Sequence, residues 1–156
     1  MHRILMKGFI FQRKKGTAMD TLQNSKDFGN LVVQVTAASG TVPIAGARVI
    51  VRAEENGIIR TLGTFLTDES GITAPLAVPT PSVSESLAPG GKIPYSEISA
   101  EISADGYFSA VNLHIPIYPG ITSIQPVALI PLPDSLYGTQ PASDLVINNS
   151  EQRPNL

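Results

Sequence analysis

The chain has no cysteine and no tryptophan, only two histidines, and few charges for its length. Each shortage removes a class of chemistry. Without cysteine there is no disulfide, no thiol nucleophile and no thiolate metal site. With His2 and His114 alone, a zinc centre built on several histidines is excluded. A sugar-stacking platform wants exposed aromatic rings, and a chain that is 6% aromatic offers few. Charged residues make up 15% of the chain and the net charge is −2, which leaves no basic footprint for nucleic acid. No run approaches the ~18 apolar residues of a membrane-spanning helix. No Gly-x-Ser-x-Gly nucleophile elbow occurs.

What is present points to strands and turns. Thirteen glycines, thirteen prolines and 42% hydrophobic residues describe a core-forming chain cut into short elements. At 156 residues it is expected to form one domain. Residues 1–18 hold five of the 11 basic residues and no acid, so the rest is acidic. Lys7 and the Arg13-Lys14-Lys15 cluster break up the apolar patch in that leader, which therefore does not read as a signal peptide. Codons for Lys14 to Ala18 are compatible with a purine-rich ribosome-binding site and spacer, so translation is expected to begin at Met19. Three segments result: a basic leader and polar lead-in (1–28), a β-domain (29–133) and a polar tail (134–156).

Within the β-domain the period is two. Leu31, Val33, Val35 and Ala37 alternate with Gln34 and Thr36, and Ala47, Val49, Val51 and Ala53 alternate with Arg48 and Arg52. Such alternation marks strands with one buried face. Asn56-Gly57 predicts a hairpin turn, Gly63 a broken or bulged strand, and Asp68 to Gly71 a tight turn. Residues 79–94 form the longest irregular stretch. Ile98, Ala100, Ile102 and Ala104 then face inward against Glu97, Ser99, Glu101 and Ser103. After the Asp105-Gly106 turn, Tyr107, Val111, Leu113, Ile115 and Ile117 are expected inward, and Phe108, Asn112 and His114 outward. A last strand, "ITSIQPVALIPLP", carries Pro126, which suits an edge or a bulge. The pattern predicts an all-β fold: a single antiparallel β-sandwich of about seven strands.

The segments "PIAGARVIV" (Pro43 to Val51), "TDESG" (Thr67 to Gly71) and "ADGY" (Ala104 to Tyr107), with the proline-flanked last strand, resemble the carboxypeptidase regulatory-like domain. The resemblance covers about 29–133 and implies a transthyretin-like sandwich without a peptidase. Its ending looks most like versions from spore-forming Firmicutes. These stand beside peptidoglycan hydrolases and cell-wall-binding parts, which implies the spore or cell envelope. The matching residues are turn and core residues, so they speak to fold more than to function. The transthyretin-like hydrolases of purine breakdown need several histidines and a Tyr-Arg-Gly-Ser terminus, and this chain has neither.

Few residues compete for a reactive role. Glu97 and Glu101 lie four apart on one strand, which separates their carboxyl groups by roughly 13 Å. Glycosidase pairs stand ~5–9.5 Å apart. His114 is read as an ordinary surface histidine, and Asp68 with Glu69 as one acidic turn, short of a calcium loop. No catalytic, cofactor-binding or metal-ligating residue is therefore assigned, and no cofactor is expected. The candidate binding loop is 79–95, with Ser82, Ser84, Glu85, Lys92 and Tyr95; the other basic and aromatic side chains are Arg48, Arg52, Arg60, Tyr107 and Tyr118. The reading is a non-catalytic binding or scaffolding module for a protein or cell-wall glycan. The alternative is a structural subunit that assembles through edge strands, and an enzyme of unknown type is the least favoured.

Overall fold

The computed structural model describes residues 27–86, 89–90, 95–136 and 145–148. It is a two-sheet β-sandwich. In chain order the strands are β1 (Asp27–Ala37), β2 (Val42–Pro43), β3 (Arg48–Glu55), β4 (Ile58–Leu66) and β5 (Leu76–Thr80). A single helical turn, Val83–Ser86, precedes β6 (Ser96–Ser103), β7 (Ala110–Ile117), β8 (Thr122–Ala128) and β9 (Leu145–Asn148).

β1 is the spine of the first sheet. One of its sides pairs with β8; the other pairs with β5 near the start and β2 at the end. The gap between β5 and β2 is closed by the Asp68–Gly71 turn and its exit. Val35 donates to the Gly71 carbonyl at 2.7 Å, and the Thr73 hydroxyl accepts from Val33 at 3.0 Å. The second sheet runs β4-β3-β6-β7-β9. Most pairings are antiparallel, as the alternation predicts. Two are parallel, β1 with β8 and β7 with β9, which no local pattern could have announced.

The inward faces meet in one aliphatic core. Leu31, Val33 and Val35 of β1 pack with Val49 and Val51 of β3 and Ile98 and Ile102 of β6. Period-two burial is the physical cause, since alternate side chains leave the strand on opposite faces. The turns also form as expected. Asn56 and Gly57 both take positive φ, 55° and 77°, between the paired Glu55 and Ile58. The Asp68 carboxylate accepts from the Ser70 and Ile72 N–H groups, both at 2.9 Å, so one of its oxygens is engaged in holding its own turn.

Two expectations need correction. Residues 134–156 were expected to be a tail, yet Leu145–Asn148 add β9 to the second sheet along β7. That segment shows no alternation because Leu145, Val146 and Ile147 are consecutive apolar residues in a strand of four. The phase of β7 is also shifted. Asn112 is fully buried, and Val111 and Leu113 are half-buried on the other face. The cause is a β-bulge. Ala100 pairs with Asn112 but Ile98 with Ile115, so β7 spends one more residue than β6 over this interval. Beyond the bulge, Ile115 and Ile117 return to the core as expected.

Candidate functional site

The outer face of the second sheet concentrates the polar side chains. Directly opposed residues share a face, so the register builds it row by row. One row holds Thr64, Ile50, Glu101 and Val111; the next holds Thr61, Arg52 and Ser99, ending at the bulge of Leu113 and His114. Glu97 follows two residues from Ser99 on the same face.

Arg52 does not point at its direct neighbour Ser99. Its Nη1 reaches diagonally to Glu101 Oε2 at 2.6 Å, with both side chains about one-third exposed. Glu97 is hydrogen-bonded to His114: its Oε2 lies 3.1 Å from Nδ1. The bulge makes this second pair. It places His114 in a left-handed backbone conformation, φ 55°, on the outer face beside β6. Glu97 and Glu101, expected on the outward face, each have a cross-strand side-chain partner. The face carries two cross-strand polar pairs, Arg52 with Glu101 and His114 with Glu97, among hydroxyls and half-buried aliphatics.

The candidate loop resolves differently. The Ser82 and Ser84 hydroxyls lie 2.9 Å apart at the entry to the helical turn, and the Val83 N–H donates to Asp27 Oδ2 at 3.0 Å, tying that turn to the start of β1. Tyr95 is buried, its ring 5.4 Å from that of Tyr118 in a tilted stack. It serves the sandwich end rather than an open binding surface. Lys92 lies outside the described residues, as does the side chain of Glu85. Tyr107 packs against the core, and Arg48 and Arg60 are exposed on β3 and β4. Among the described residues, no three His, Asp or Glu side chains gather as a metal set. No described helix is long and apolar enough to cross a membrane.

Sequence reasoning placed Arg52, Glu97 and Glu101 on the correct face but did not join them. Joining them needed the β3–β6 register, and His114 needed the bulge. The edge strand β4 was missed as a surface feature. Its signal was present in Gly63, which predicts a bulge there, together with the apolar residues on either side.

No protein-family model matches the sequence, and no curated protein sequence matches it. Among solved structures, it is similar to catechol 1,2-dioxygenase from Acinetobacter radioresistens, with 14% identity over 80% of this chain and 59% of that one, at a TM-score of 0.48. Chlorocatechol 1,2-dioxygenase from Pseudomonas putida gives 13% identity over 68% and 62%, at 0.40. A minor pilin of Streptococcus agalactiae gives 14% identity over 76% and 49%, at 0.42. This chain thus spans roughly half to three-fifths of the length of those proteins. At such identities and scores, the likeness carries no family and no activity to this chain.

Proposed function

We propose that the chain is a non-catalytic β-sandwich module that binds or scaffolds a partner through the outer face of its second sheet. The observation that carries this reading is the pairing of Arg52 with Glu101 and of Glu97 with His114. Groups with the greatest chemical capacity on that face are engaged with each other. Such half-exposed polar pairs suit recognition, because a partner's hydrogen-bonding groups can exchange for them at little desolvation cost. The turn and core motifs that resemble a carboxypeptidase regulatory-like domain support a place in the spore or cell envelope beside peptidoglycan-active proteins.

Co-sedimentation of the full chain with purified peptidoglycan sacculi tests the reading. Retention is expected, weakened roughly tenfold when Arg52→Ala and His114→Ala are combined. Absence of binding to sacculi would remove the cell-wall part of the proposal. Retention unaffected by the double variant would remove the sheet face.

A further inference from the structure

The second sheet ends on β4, whose outer side carries no strand among the described residues. The open edges of the first sheet are interrupted by proline: Pro43 in β2, Pro79 in β5 and Pro126 in β8. Proline lacks the N–H that a new neighbour would use, and it is one device by which sheets avoid edge-to-edge pairing. β4 has nine residues, no proline and one charge, Arg60. Ile59 and Leu66 are each 68% exposed on it.

The bulge gives this edge a second property. Val51 pairs with Gly63 and Arg52 with Thr61, so Leu62 is the extra residue. Ile59, Thr61, Thr64 and Leu66 therefore oppose Glu54, Arg52, Ile50 and Arg48, alternate residues of β3. The four share the outer face of the sheet and one direction of backbone N–H and C=O groups. Their order, Ile-x-Thr-x-x-Thr-x-Leu, is nearly palindromic about the Leu62–Gly63 bond. An antiparallel second copy can set Ile59 against Leu66 and Thr61 against Thr64, with face and hydrogen-bond direction consistent on both sides of the bulge. On the opposite face the same register sets Arg60 beside Phe65, so no like charges meet and a cation neighbours an aromatic ring. Glu54 of one copy then lies on the same face and in the same cross-strand row as the exposed Arg48 of the other, with Ile59 and Leu66 between them. Two-fold interfaces require this self-complementarity of shape and charge.

We propose that two copies of this chain pair antiparallel through β4, about a two-fold axis at the Leu62–Gly63 bond, joining their five-stranded sheets into one continuous sheet. The pairing uses the sheet's edge, so it stands independently of what the outer face binds.

Sedimentation of the full chain across a wide concentration range tests this. A species of twice the 16.5 kDa chain mass is expected. Ile59→Lys alone should raise the dimer dissociation constant roughly tenfold or more. Adding Leu66→Glu should restore pairing, because the register sets position 59 of each copy against position 66 of the other. The chain has no cysteine, so engineered thiols react alone. Ile59→Cys with Leu66→Cys should cross-link into dimers under mild oxidation, whereas Ile59→Cys alone should not. Circular dichroism checks that each variant keeps its strands. A folded monomer at every concentration, or a dimer unaffected by Ile59→Lys, overturns the proposal. Equal cross-linking by the single Cys variant overturns the register.

Discussion

His114 meets Glu97 across a β-bulge: Nδ1 lies 3.1 Å from Oε2, and the histidine backbone is left-handed, φ 55°. The strand deviates from regular geometry at the residue that supplies half of an outer-face pair. A non-glycine residue costs about 1 kcal/mol or more in that region, and β-branched residues cost most. His114→Val is therefore expected to destabilise the fold by about 1–2 kcal/mol, while His114→Gly and His114→Asn stay within about 0.5 kcal/mol of the parent. Equilibrium urea denaturation orders the three. A valine variant as stable as the asparagine one would refute the bulge conformation.

The Arg52–Glu101 pair is short but one-third exposed, and solvent screens it. A double-mutant cycle with Arg52→Ala and Glu101→Ala should return a coupling of about 0.3–1 kcal/mol at low salt, falling as salt is added. A coupling of several kcal/mol would mean that the pair is far less hydrated than its exposure indicates.

Two glycines with similar φ should respond very differently to alanine. A Cβ on Gly71 would stand 2.4 Å from the Val35 carbonyl oxygen, whereas one on Gly57 meets nothing within 4 Å. Gly57→Ala should cost about 1 kcal/mol, the left-handed conformation alone. Gly71→Ala adds a clash with backbone that β1 pairing holds in place, and should cost about 3 kcal/mol or more. Equal thermal shifts for the two would show that the turn relaxes away from β1.

The Thr80 hydroxyl is buried and has no hydrogen-bond partner among the described residues. Replacing it with a methyl group of similar shape removes a desolvated polar group. Thr80→Val is expected to stabilise the chain by about 1 kcal/mol, read as a higher denaturation midpoint at unchanged slope. A loss of stability would point to a partner for that hydroxyl outside the described residues.

The inward faces of β1, β3 and β6, the Asn56-Gly57 hairpin, the Asp68–Gly71 turn and the interruption at Gly63 were all legible in the chain. Each rests on interactions within a few residues: alternation of side chains along a strand, or a backbone conformation that glycine and asparagine tolerate. The inward position of Asn112 was not legible. Alternation across β7 is counted through Leu113 and His114, and a single inserted residue reverses every assignment on one side of it. The burial of Tyr95 was equally hidden, because its partner Tyr118 comes from another part of the chain.

By itself, then, the sequence determined that this chain would be a two-faced β-sandwich with an aliphatic core. Apolar residues recurring every second position give each strand one face that must leave water, and the many short strands joined by turns suit packing such faces together as two sheets. The tertiary structure alone decided that β1 runs parallel to β8, that Arg52 meets Glu101, and that the proline-free β4 stands at an edge of the second sheet. Those outcomes depend on register and on which strands become neighbours. Both are set by burying the whole core at once, and no local segment carries that information.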